Sequence, residues 1–577
     1  MSRLAALLVA ALLLGACVSV PTSGPVVEGR PAGEQVPPPN VAVIPTGPRA
    51  GDSPVAIAEG FLSSMSSYQP GYPTARQFLT PKAAAEWRPE SGIAVYGAGE
   101  GSRNVSATET GVQIAVALVG RVADDGSYTP TEEGSRLVLD LTMTSVGGEW
   151  RIDSPPDGLV MTEFDFTREF AAFASYFFDP DFEVLVPDLT YLPVSGNLPT
   201  LLVEELLDGP TEWLDPGVRS ALGPGVSLVS GTVVQAGTVA RVDLSSQVGS
   251  APTEQRDRAA AQLVWTLRQA PGVGQVLVLA DGRPVPLPGS DTGLVTADEY
   301  DLYDPAEVAA GGELFGVADG AVVRVDENGA AVAVAGPLGA DGLFRSVGVS
   351  VDGARGAAVT TDGASVTRAE LADAGMDQTV AVGADVRVPS FDRDGRVWLV
   401  DRGDSASRVL LLTDEPDPVV VPAGVLDEVR VDRLTVAPDG VRIAGVYQAE
   451  DGGRLLLALI LPQADGSVAV SQVRDVPLDS VEAVDVAWAS ATALALLGSA
   501  GEGAQPYLVE LSNAALSSRG QVDGAVSLAA SPGQPLVLGT NQPIPDQDGR
   551  EGPLLVRQDA LQEWVPLVSA QAPTYPG

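Results

Sequence analysis

The sequence predicts a multi-domain chain: α+β domains in its N-terminal half, then an all-β propeller of about five or six blades. Three observations lead there. Similar strand–turn–strand units recur every ~40–50 residues between positions 306 and 577, which is the period of propeller blades. Between 51 and 290, apolar residues fall at helical spacing in some stretches and alternate as strands in others. And 577 residues far exceed one ordinary domain.

Residues 1–16 read as a lipoprotein signal peptide. Arg3 precedes a purely apolar run at 4–14 (LAALLVAALLL), and Leu14-Gly15-Ala16 lead into Cys17. This is the three-part layout of a secretory signal, and its end resembles a lipobox. Such a motif implies cleavage before Cys17 and diacylglycerol on its sulfur. The run is shorter than the ~20 apolar residues of a membrane-spanning helix. Cys17 is the only cysteine, so it has no disulfide partner within the chain. Residues 17–50 are then a lipidated, Pro-rich tether: Pro21, Pro25, Pro31, Pro37, Pro38, Pro39, Pro45 and Pro48 interrupt any helix or central strand.

Residues 51–160 read as an α+β domain. Val55, Ala58, Phe61, Leu62 and Met65 keep helical spacing, a second helix is expected from Pro81 to Trp87, and strands over 112–121, 136–145 and 149–152. Helices ahead of a curled antiparallel sheet resemble the nuclear-transport-factor-2 (NTF2)-like cone. Residues 161–197 are expected to form an aromatic helix and connector. Phe166, Phe170, Phe173 and Phe177 would lie on one helical face, and packing between domains is favoured over a partner-binding stripe.

Residues 198–290 are expected to alternate helix (201–207), strands (226–234 and 239–244), a second helix carrying Ala260, Leu263, Val264 and Leu267, and a strand at 276–279. The strings LLDGP, VARVDLS and QLVWTLRQAPGVGQVLVLADG resemble the GerMN domain of spore-germination and lipoprotein families, which implies a small α/β fold that binds partners or wall components. In the propeller at 306–577, five units are readable, at 347–359, 388–400, 434–447, 486–497 and 528–540. A sixth blade would close from both ends, using 314–325 and the tail around Trp564, and so hide open sheet edges.

Composition narrows the chemistry. The chain has no histidine and, beyond Cys17, no cysteine, which excludes Cys/His zinc sites and histidine-dependent nucleophile systems. Lys82 is the only lysine and sits at a helix start without a Gly-rich loop. With 34 basic and 75 acidic residues the net charge is −41, a surface that repels nucleic acid and anionic headgroups. Asp352-Gly353 and Asp392-Arg393-Asp394-Gly395 lack the continuation of a calcium loop and read as tight turns. Glu204 and Glu205 are adjacent on a helix, point to different faces, and read as solvated. No catalytic residue, cofactor or metal site is expected.

The order of parts, together with SYFFDPDFEVLVPDLTYLP at 175–193, resembles the LpqB family of actinobacterial lipoproteins across nearly the whole chain. That resemblance implies a non-enzymatic protein on the outer face of the plasma membrane, held by the lipid on Cys17. It also implies an association with the extracellular domain of an MtrB-like sensor histidine kinase, signalling to MtrA, with effects on envelope homeostasis, division and drug tolerance. The alternatives are a module that contacts cell-wall glycan or peptide and, less favoured, a glycoside hydrolase using paired carboxylates.

Overall fold

The structure is a computed structural model. It describes residues 45–577 apart from 100, 133, 306–311, 327, 373–377, 416, 479, 502, 542–551 and 559–562. Cys17, the signal segment and most of the tether lie outside the described residues. Residues 43–577 form one compact unit.

The first domain is built as its periodicity requires. Helix Pro54–Ser64 starts at Ser53, whose hydroxyl accepts the Ala56 N–H, and buries Ile57, Ala58, Phe61 and Leu62. Helix Pro81–Glu86 starts at Thr80 in the same way. Strand Gly111–Val122 alternates strictly, with Val112, Ile114, Val116 and Leu118 inward, and is flanked by Arg136–Val146 and Ile93–Tyr96. Four strands beyond those expected complete the sheet: Ile93–Tyr96, Arg103–Ala107, Tyr128–Pro130 and Leu159–Thr162. They are short, and the first and last pair in parallel across more than sixty residues of sequence, a long-range contact that local periodicity does not announce.

The expected aromatic helix is corrected. Only Glu163–Glu169 is helical; Phe170–Phe178 is a strand, paired antiparallel with Leu185–Pro193 over nine residues. The nine backbone pairings of the hairpin override the helical spacing of the phenylalanines. Phe166 and Phe170 belong to the core of the first domain, and Phe177 and Phe178 to that of the second. The phenylalanines thus divide between two separate cores and do not form one stripe packed between domains.

In the second domain, helices Leu198–Asp208 and Thr253–Leu267 pack together. Strands Val239–Leu244 and Gln275–Ala280 pair in parallel, joined through the second helix. The strand expected over 226–234 does not form as one run; Val234–Ala236 pairs with Val239–Leu244, and Leu228 makes a single antiparallel bridge to Leu244. Gly225 and Gly231 take positive φ, which breaks an extended run.

The propeller has six four-stranded sheets among the described residues. Five match the units read from sequence. Closure differs from the expectation: strand Gln571–Thr574 pairs with Leu314–Ala318 as the innermost strand of the first blade. Trp564 lies instead in Glu563–Ser569, the outer strand of the sixth blade. Inner strands of four blades carry a bulge near their start, at 344–346, 431–433, 483–485 and 525–527, which adds local twist.

Candidate functional site

A set of interlocking polar and aromatic contacts lies where the three modules meet. The Phe170–Phe178/Leu185–Pro193 hairpin is its base. On the first-domain side, Tyr128, Phe166 and Tyr191 cluster with ring centroids 4.9–5.9 Å apart, Tyr128 stacked on Phe166 and Tyr191 tilted against both. The turn at 123–127 presses on the hairpin, and the Tyr191 N–H donates to the Gly126 carbonyl at 2.9 Å. Gly126 has φ +76, and a Cβ there would come within 2.8 Å of Thr190, so both conformation and contact call for glycine. Asp125 in the same turn accepts the Glu212 N–H at 3.2 Å.

Asp188, on the second hairpin strand, is buried and accepts both the N–H and the hydroxyl of Thr211, at 2.6 and 3.0 Å. Two residues further on, Trp213 reaches the propeller. Its Nε1 donates to the Gln472 carbonyl at 2.7 Å, and Arg474 lies over its ring at 3.8 Å. Gln472 takes φ +52 to present that carbonyl. Val441, Leu459 and Leu461 of the fourth blade close the apolar side of the same junction.

Glu204 is exposed, as expected, but Glu205 is not. Burial pushes its carboxyl up to about 7; the charges of Asp188, Asp208 and Asp125 add to this and the Thr190 hydroxyl opposes it. Burial likewise raises Asp188 to about 6 against the two Thr211 hydrogen bonds. The sign of the consequence is fixed. Both folded values exceed the unfolded ones, so the native state holds these protons more tightly. Their contribution to stability is complete below about pH 4 and declines as pH rises through about 6–7. Glu205→Gln is therefore expected to raise stability at pH 8 by about 1–3 kcal/mol and to change little near pH 4. Urea unfolding at the two pH values checks this; an equal effect at both contradicts it.

The propeller supplies further charged structure. Asp385 collects three guanidiniums: Arg345 at 2.9 Å, Arg402 at 2.5 Å and Arg387 at 3.7 Å, and Arg402 also pairs with Asp432. Burial works against the charge on Asp385, but Arg345 and Arg402 overcome it and hold the carboxyl below its usual range. The network ties the second, third and fourth blades together. The Asp-Gly turns are structural, as expected. Asp392 is buried and accepts from Trp398 Nε1 at 2.8 Å and from Arg396; Asp352 takes the Ser350 hydroxyl and the Ala354 N–H. Among the described residues no group of three or more metal-ligating side chains converges, and no helix is long and apolar enough to cross a membrane.

Three family models match the chain: "Lipoprotein LpqB, N-terminal domain" over residues 47–167, "Sporulation and spore germination" over 174–286, and "Lipoprotein LpqB beta-propeller domain" over 320–576. The protein named Lipoprotein LpqB from Thermobifida fusca is 31% identical, and the alignment covers 98% of this chain and 97% of that one. The chain belongs to the LpqB lipoprotein family. Further LpqB relatives come from Streptomyces coelicolor, 30% identical over 98% of this chain and 96% of that protein, and Cutibacterium acnes, 29% identical over 98% and 97%. The first two matched segments meet between 167 and 174, inside the helix and hairpin that bridge the two cores. The residues that lock this LpqB-family junction, Asp188, Glu205, Thr211, Trp213 and Arg474, were not legible beforehand. A lone Asp-Leu-Thr in a strand carries no signal, and Glu205 reads like any other exposed helix carboxylate.

Proposed function

We propose that this chain is a lipoprotein anchored through Cys17 on the outer face of the plasma membrane. There it binds the extracellular domain of an MtrB-like sensor histidine kinase and biases its conformation, with consequences for envelope homeostasis and division. The observation that carries this reading is the combination of membership in a lipoprotein family with a body whose three modules are interlocked at one junction. A body of that kind is suited to present a fixed binding surface. A bound partner shifts a kinase only as far as it prefers one conformation over another. Moving a 1:99 equilibrium to 99:1 takes roughly a 10⁴-fold preference. Confinement of both proteins to one membrane raises their effective concentration toward the millimolar range, so modest intrinsic affinity suffices.

Two measurements test the two halves. Cys17→Ala is expected to abolish labelling by radioactive palmitate and to release the protein from the membrane fraction, because stable anchoring needs at least two acyl chains. Retention of label by the variant would overturn the anchor. The purified body is expected to retain the folded kinase ectodomain in a pull-down; its failure to do so would overturn the partner.

A further inference from the structure

The outer strand of the fourth blade, Val468–Val476, presents alternate residues to its two sides. Arg474 turns toward Trp213 and the junction. Val473 and Asp475 turn the other way, into a groove of about 350 Å³ between the third and fourth blades. Val425, Leu426, Val429, Tyr447 and Leu456 form the rest of its lining. The groove thus opens on the side of this blade that the second domain does not cover. Its floor is continuous with the core shared by the two blades.

Beside it runs an open sheet edge. Val419–Val421 is the last strand of the third blade and pairs on one side only. Val419, Val420 and Val425 are 47, 57 and 51% exposed. Val419 and Val420 lie on this edge strand and Val425 on the 3-10 turn Gly424–Asp427 that follows and lines the groove. Pro418 and Pro422 guard the two ends of the strand, and the Pro422 carbonyl accepts the Val470 N–H of the fourth blade at 2.9 Å; between them the exposed valines leave an apolar stretch.

The rim carries the opposite signal. Asp427, Glu428, Glu450 and Asp451 are exposed, and Asp475 lies at the groove itself, accepting the Tyr447 hydroxyl at 2.9 Å. Arg454 is committed to Asp451 and Asp475, and Arg430 faces Asp432 at 3.9 Å. Acids outnumber bases around an apolar floor. A second copy of this chain, also at −41, is repelled from such a rim.

We infer that this edge and groove dock an extended apolar segment of a partner protein, flanked by lysine or arginine. The segment adds a strand to Val419–Val421, seats alternate apolar side chains against Val425, Val429 and Tyr447, and sets its basic flanks on the acidic rim. The inference deepens the partner-binding reading above, but it does not require the partner to be a kinase.

The test uses the full-length lipoprotein in detergent and two synthetic nine-residue peptides. Each has alternating valine and threonine at its centre; one is flanked by paired lysines, the other by paired glutamates. Fluorescence anisotropy is expected to show the lysine peptide binding at least about tenfold more tightly. Val425→Asp should weaken it by about tenfold or more. Val138→Asp, at an exposed position of the first domain, should leave it unchanged. Equal binding of the two peptides, no binding up to about millimolar concentration, or indifference to Val425→Asp overturns the site. The kinase ectodomain is run in parallel. Binding that Val425→Asp abolishes supports the site. Binding that survives Val425→Asp leaves the kinase reading standing and removes this site as its location, whereas no binding even to wild type removes the kinase reading while the peptides still decide the site.

Discussion

Asp439→Ala is expected to destabilise the propeller by about 3–5 kcal/mol, the cost of stranding a buried charge. Asp439 and Arg442 are 2 and 3% exposed. The carboxylate accepts Arg442 Nη2 at 2.6 Å and Nε at 2.7 Å, together with the backbone N–H groups of Val441 and Arg442. Arg442 continues across to the fifth blade, donating to the Ala491 carbonyl at 2.7 Å and lying over the Trp488 ring at 5.0 Å. Removal of the carboxylate leaves the guanidinium with an aromatic face and one carbonyl, in a site water does not reach. Replacing Arg442 by Met in the same chain removes the uncompensated charge and keeps most of the volume. The double variant is therefore expected to recover a substantial part of the loss. Urea denaturation of wild type, single and double variants checks this. A single variant within about 1 kcal/mol of wild type would mean that water or a nearby acid compensates the arginine.

Removal of residues 571–577 is expected to have a larger effect than any point substitution, more than about 5 kcal/mol. Gln571–Thr574 supplies the innermost strand of the first blade. The residues after it pin the two neighbouring blades, the sixth and the second: Tyr575 is buried and donates to the Pro535 carbonyl at 2.9 Å, while the Gly577 N–H donates to the Val349 carbonyl at 3.1 Å. Without this segment the Leu314–Ala318 strand loses a neighbour and becomes a raw edge beside the inner strands of the second and sixth blades. The truncated chain is expected to be cleaved rapidly within 312–570 in limited proteolysis and to aggregate on size-exclusion chromatography. Deletion of Gly577 alone removes one hydrogen bond and should be close to wild type. A full truncation that keeps the wild-type proteolytic pattern would show that the ring closes without its last strand.

Legibility in the sequence followed the range of the interactions. Helix Pro54–Ser64 and strand Gly111–Val122 were readable because each writes its own period. So were the paired central strands of five blades, where Asp-Gly turns punctuate apolar runs. The hairpin at 170–193 was misread because its phenylalanines sit at spacings a helix also accepts, and the partner strand that decides the matter lies fifteen residues away. Closure was assigned to the wrong part of the tail because Trp564 is conspicuous, whereas Gln571-Ala572-Pro573-Thr574 has no strand signature and is extended only through pairing with residues more than 250 positions earlier. The junction was invisible for a related reason. Asp188 and Glu205 are ordinary carboxylates until Thr211, Trp213 and the fourth blade bury them.

The shared hairpin has a mechanical consequence. Its two strands are stitched into the cores on either side, so the first two modules have no hinge between them, and pulling them apart means tearing a β-ribbon rather than bending a linker. A load applied at the propeller is passed through Trp213 and this ribbon to the first domain with little slack. Within the described residues the three modules behave as one piece, and whatever the propeller grips keeps a fixed relation to the first two.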